Sequence, residues 1–115
     1  MIRVELPWPP TINTYWRRRG DRYFISTEGK RFRRDTVYIC HKYKGMFCND
    51  ERLKLTVEAY PPDKRRRDID NLLKVVCDSL EAANVFTDDC QIDEIHIKRF
   101  TELSSKVIIG IELCS

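Results

Sequence analysis

LKLTVEAYPPDKRRRDIDNLLKVVCDSLEAA, residues 53–83, changes its hydrophobic period once, and that change decides the fold. Its first eight residues alternate, placing Leu53, Leu55, Val57 and Ala59 on one face as a half-buried strand requires. Pro61 and Pro62 end the strand, because proline cannot donate to a sheet ladder. From Ile69 the period becomes helical. Ile69, Leu72, Leu73, Val76 and Leu80 make the apolar stripe of an amphipathic helix that reaches about Ala83, with Asp68 or Asp70 placed as its N-cap. Between strand and helix, Lys64, Arg65, Arg66 and Arg67 abut Asp68 and Asp70.

Upstream, IRVEL (2–6) alternates as a strand and the prolines of PWPP stop it. Thr11 to Gly20 reads as a polar, basic loop, and RYFIS (22–26) as a short strand. Ser26 or Thr27 can cap a helix from Glu28 to Lys44, in which Phe32, Thr36, Ile39 and Tyr43 share a face and Gly45 is the stop. Downstream, NVFTDD turns the chain. QIDEIHIKRF and KVIIGIEL then read as two strands, expected to form a hairpin across TELSS. The order strand, helix, strand, helix, strand, strand predicts an α+β domain over residues 1–115, with a sheet of four to five strands and two main helices packed on it.

The 115 residues are 42% hydrophobic and 34% charged, a globular composition with a net charge of only +3. The distribution of charge is more informative. Residues 15–34 hold Arg17, Arg18, Arg19, Arg22, Lys30, Arg31, Arg33 and Arg34 against Asp21 and Glu28, interleaved with Tyr15, Trp16, Tyr23, Phe24 and Phe32. Cations among aromatics suit phosphates and stacked bases, so Arg17–Arg19 and Lys64–Arg67 are candidate DNA contacts. A solvated helix face with a few core aromatics is the plainer reading of such a run. Cys40, Cys48, Cys77, Cys90 and Cys114 form no C-x-x-C pair and read as free thiols of a reducing compartment. No apolar run would serve as a signal peptide or span a bilayer, so a cytoplasmic protein without membrane contact is expected.

One helix cap explains one aspartate, not two. Lys74 follows Asp70 by four residues and shares its helix face, the spacing of a surface ion pair. A second acidic pair, Asp88 and Asp89, precedes the next strand. If that turn folds back to the helix start, three carboxylates converge, which is enough for a hard divalent cation such as Mg²⁺. Such an ion would act on a phosphodiester held by the neighbouring arginines, with Lys74 supporting the attacking water or the developing charge. Capping combined with plain nucleic-acid binding is the alternative.

Four segments, LPWPPTIN (6–13), STEGKRFR (26–33), DKRRRDIDNLLKVVCDSL (63–80) and FTDDCQI (86–92), make the chain resemble the RusA-type Holliday-junction resolvases, often carried by prophages. The resemblance runs nearly end to end, and the last two segments match in both residue type and spacing. It implies a mixed sheet flanked by helices, a homodimer with two active sites, and Mg²⁺-dependent cutting of four-way DNA junctions, with Mn²⁺ as a substitute. By the same resemblance the metal ligands fall on Asp68, Asp70 and Asp89, with Asp88 the neighbouring candidate, and the essential lysine falls on Lys74. Asn71 and Asp78 also match, and read equally as helix-start hydrogen bonding and an ion pair with Lys74. ELSS (102–105) departs from the family's glycine-rich or basic loop. Two rival activities stand beside this one: a branched-DNA-binding protein that does not cut, and a broader flap or fork nuclease.

Overall fold

The computed structural model describes residues 1–114. Strand β1 (Ile2–Pro7) leads through the short helix α1 (Ile12–Tyr15) to strands β2 (Trp16–Arg19) and β3 (Arg22–Ile25), then helix α2 (Thr27–Ile39). Strand β4 (Leu53–Tyr60), helix α3 (Asn71–Ala82), strand β5 (Ile92–Arg99) and strand β6 (Lys106–Leu113) complete the chain. The main sheet is mixed and four-stranded, in the order β1-β6-β4-β5, and β2 with β3 forms a separate two-stranded ribbon. An α+β architecture with two main helices is what the sequence predicts, and it is what forms.

The core lies under α2 and α3, on the sheet face carrying Ile2, Val4 and Leu6 of β1, Leu53, Leu55, Val57 and Ala59 of β4, and Val107, Ile109 and Ile111 of β6. The β4 alternation is strict: its apolar residues are buried and the intervening ones are half-exposed. From α3, Leu72, Val75, Val76 and Leu80 complete the contact. Leu72, Val76 and Leu80 of the stripe read in the sequence pack as expected, whereas Leu73 is half-buried and Ile69 precedes the helix, which starts at Asn71.

The expected hairpin does not exist. β5 pairs parallel to β4, and β6 pairs antiparallel to β4 from the other side. The crossover through α3 returns the chain to the start of β4, which makes β5 parallel. Residues 100–105 then carry it past the end of β4, fastened by Phe100 N–H to the Ala59 carbonyl at 2.9 Å and Ser105 N–H to the Pro61 carbonyl at 3.4 Å. A pairing across TELSS would leave the apolar β4 at an edge. Inserting β4 between the last two strands buries it.

Thr11 to Gly20 is not an unstructured loop. The Thr11 hydroxyl caps α1 by accepting from Thr14 N–H at 3.1 Å, and Tyr15 is wholly buried. β2 follows, all four of its residues exposed, so the alternation that reveals a half-buried strand is absent. Gly20 adopts φ +62° at the tip of the ribbon, a value that hairpin turns favour and glycine accepts without strain. The base of the ribbon packs closely on α2. A Cβ at Gly29 would lie 2.7 Å from the Ile25 Cγ2 and 2.9 Å from the Tyr15 ring.

Ser26 caps α2 as expected, accepting from Gly29 N–H at 3.0 Å. The helix stops at Ile39, short of Lys44. Cys40 is buried, and a 3₁₀ turn over His41–Tyr43 follows it. That tighter turn still delivers Tyr43 to the core, so the helical spacing in the sequence outlasts the helix.

Candidate functional site

Asp63 organises the basic loop. Its carboxylate accepts from Arg65 N–H at 2.9 Å and from the Arg67 guanidinium at 2.8 Å, and these contacts, the backbone hydrogen bond first, hold it below the usual carboxylate range. Arg67 also donates to the carbonyls of Asp63 and Arg65, each at 3.2 Å, and its guanidinium lies over the Trp8 ring at 5.7 Å. Arg99 donates to the Arg67 carbonyl at 2.7 Å. Of the four expected DNA contacts here, Lys64, Arg65 and Arg66 are exposed, while Arg67 is half-buried and fixed in place.

The loop delivers the chain to α3, where the capping reading can be judged. Asp70 occupies the N-cap position, yet its side chain makes no capping hydrogen bond. The N–H groups of Asn71 and Leu72 turn instead to the carbonyls of Asp68 and Ile69, at 3.4 and 3.3 Å. Among the described residues, Asp68, Asp70 and Lys74 have no ion-pair partner. All three reach solvent. The expected ion pairs of Lys74 with Asp70 and with Asp78 are therefore both absent. Asp78 is taken by α2 and α1: the Arg33 guanidinium donates to it at 2.6 Å, and the Tyr15 hydroxyl donates to the same oxygen. Burial foremost, and then that bond to Asp78, raises the Tyr15 pKa.

At the far end of α3 the acids have structural work. Asp88 caps the 3₁₀ turn Asp89–Gln91, accepting from Cys90 N–H at 2.9 Å, while Gln91 reciprocates to the Asp88 backbone at 3.0 Å. The bond from the Cys90 backbone holds the Asp88 carboxyl below its ordinary range. Asp89 N–H donates to the Glu81 carboxylate at 2.5 Å. Burial, ahead of the charges of Asp89 and Asp88, raises the Glu81 pKa despite that bond. Of the two neighbouring aspartates, Asp88 is thus occupied by capping, whereas Asp89 caps nothing.

Asp68 and Asp70 are not among the acids that the structure brings into the tightest contact. Among the described residues, the acidic group whose ligand atoms lie within 4.8 Å of one another is Glu81, Asp88 and Asp89. Asp70 and Glu81 stand eleven residues apart in sequence along one helix, about 16 Å along its axis. The candidate site is a strip along α3, with Asp68 and Asp70 at its start, Lys74 within it, and Asp89 tied through its backbone N–H to Glu81 of the last turn. Burial foremost pushes the pKa of Cys77 up to about 12; the charges of Asp89, Glu81 and Asp78 add to the rise, and Lys74 opposes it. Glu81 was missed by sequence reasoning, although it follows Lys74 by seven residues and so returns to the same face. Both ends offer carboxylate oxygens, the donors that hard cations such as Mg²⁺ prefer.

The ribbon projects Arg17, Arg18 and Arg19 into solvent. Arg17 stands opposite Phe24 and Arg18 opposite Tyr23, with the Arg18 guanidinium 5.7 Å over the Tyr23 ring. Tyr23 and Phe24 are exposed as well, so aromatic and cationic groups share an open surface.

Residues 7–112 match the family model described as Endodeoxyribonuclease RusA. The chain is 47% identical over 94 residues to the crossover junction endodeoxyribonuclease of Enterobacteria phage HK97, covering 82% of this chain and 78% of that protein. It is 35% identical over 94 residues to the protein of that name from Shigella sonnei, and 36% identical over 97 residues to that of Enterobacteria phage 82, with the same two coverages. No helix among the described residues is long and apolar enough to cross a membrane.

Proposed function

We propose, from the premise that this chain belongs to the RusA endodeoxyribonuclease family, that it is a magnesium-dependent enzyme resolving four-way DNA junctions. The observation that carries this reading is the unengaged state of Asp68, Asp70 and Lys74, at a helix start where capping and ion pairing were both within reach. Carboxylates left without internal partners are ready to take a cation, and a lysine left without one is ready to meet an anion.

In this reading Asp68, Asp70 and Asp89 are the metal ligands, and Glu81 positions Asp89 by accepting from its backbone N–H. When bound, Mg²⁺ supplies a Lewis acid for the phosphodiester and lowers the pKa of a water. Lys74 faces the developing negative charge from the second turn of α3. Lys64, Arg65 and Arg66 bind phosphates beside the acids, and Arg67 fixes the shape of their loop. Arg17, Arg18 and Arg19 add contacts from the ribbon. A homodimer sets two such strips against the two-fold symmetry of a four-way junction, one for each of the opposed strands. The enzyme acts as one domain over residues 1–115.

Incubation of a mobile synthetic four-way junction with and without Mg²⁺ tests this. Paired cuts near the branch point, with linear duplex spared, are the expected result. Equal cutting of forks and flaps would make it a broader nuclease. Junction binding with no Mg²⁺-dependent product would leave a binding protein.

A further inference from the structure

A cleft of about 500 Å³ opens beside Asp68, between the loop after β4 and the loop after β5. That volume lies within the ~300–1,000 Å³ of small-molecule sites. Trp8, Leu72, Phe100 and Leu103 contribute its apolar interior, and Lys64, Arg65, Arg66 and Arg99 stand around it. Its walls are tied together. Trp8 N–H donates to the Ser105 carbonyl at 3.2 Å, and Arg99 reaches the Arg67 carbonyl at 2.7 Å. Phe100 is backed by Tyr60, with ring centroids 4.8 Å apart and planes 11° from parallel.

We infer that this cleft receives a single unstacked base of branched DNA and holds its nucleotide next to Asp68. The inference rests on the junction-cutting reading and deepens it. Five cations around an apolar interior, Arg67 among them, match a nucleotide, which carries an anionic backbone on one side and a flat ring on the other. The same walls would suit an acidic peptide poorly, because Asp63 and Asp68 also line them. Trp8 and Phe100 both line the cleft and offer a base aromatic surface to stack on. Bases inside a duplex are held by stacking and pairing. At a branch point that cost is smallest, and a cleft for one base thereby selects branched over linear DNA.

The test places 5-iodouracil at the branch point of a four-way junction, or in the middle of one arm as control, and irradiates the complex without divalent metal. Crosslinks from the branch point to peptides containing Trp8 or Phe100, absent from the arm control, are expected. Crosslinks confined to the ribbon, or equal from both positions, would overturn the inference. Cleavage of the same junction after Mg²⁺ addition is read separately. Cutting without the crosslink refutes the cleft alone, and the crosslink without cutting refutes the nuclease reading alone. Phe100→Ala should weaken junction affinity about tenfold, as removal of one base–aromatic stack does, and leave linear-duplex affinity unchanged. Phe100→Tyr should bind as the parent does. Parental affinity in a folded Phe100→Ala protein would also overturn the inference. Should that variant not fold, the crosslink decides.

Discussion

The two ends of α3 are both acidic, yet their acids differ in what they do for the fold. At the C-terminal end, Asp88 caps a turn and Glu81 accepts a backbone N–H, so these carboxylates hold chain together. At the N-terminal end, the Asp68 and Asp70 carboxylates accept no hydrogen bond from the described residues, although Asp70 sits at the cap position itself. The helix start is completed by backbone carbonyls of the preceding turn. An acid that is structurally idle in such a position is available for a ligand, whereas an acid that caps is costly to remove even when no ligand is present. The difference separates mutations expected to abolish chemistry from those expected to lower stability.

The strongest break in that comparison is Asp70→Asn. It keeps shape and removes charge, so Mg²⁺-dependent junction cleavage should fall below detection while thermal stability and junction affinity stay at parental values. A drop in Tm would mean that Asp70 is structural after all. Next is Lys74→Ala, a solvent-accessible position with no ion pair to break. Single-turnover cleavage should slow by ~10² or more with affinity nearly unchanged. A mixed dimer of one parent and one Lys74→Ala subunit should nick a cruciform plasmid rather than linearise it.

Glu81→Gln probes the opposite end. The amide oxygen can still accept from Asp89 N–H, but the charge is gone, and a ~10–100-fold loss is the scale for a residue supporting a metal ligand. A loss rescued by raising Mg²⁺ would place Glu81 at the ion rather than behind it. The ribbon belongs to neither end. Replacing Arg17, Arg18 and Arg19 with Ala should reduce the salt dependence of binding by ~0.9 for each phosphate no longer neutralised, on every DNA shape alike. The cleavage rate at saturating enzyme should not change. The smallest effect is expected from Asp88→Ala: a modest loss of stability from removal of the cap, read by denaturant melting, with cleavage largely retained. A severe loss of cleavage at unchanged stability would show that Asp88, and not Asp89 alone, serves the metal.

The strand and helix of residues 53–83 were legible because each buries one face, and burial on one face writes its period into the sequence. The ribbon was not legible. β2 buries neither face, so its arginines carry no alternation, and only Gly20 hints at a turn. The spacing of the acids was legible in the sequence, while the preference for Asp89 over Asp88 rests on resemblance alone. That Asp78 is engaged away from Lys74 was not legible, since this depends on groups distant in the chain, Arg33 and Tyr15.

The α+β class, the buried faces and the chemical types along α3 were all written in the sequence, because these follow from local period and residue identity. Tertiary structure alone decided that β4 lies between β5 and β6, and that Glu81 joins Asp88 and Asp89. Strand order is chosen by which strand most needs two neighbours, and β4, whose apolar face is wholly buried, outcompetes a local hairpin. The position of Asp89 is chosen by where the α3–β5 turn can dock, and Glu81, two turns beyond Lys74, holds it there.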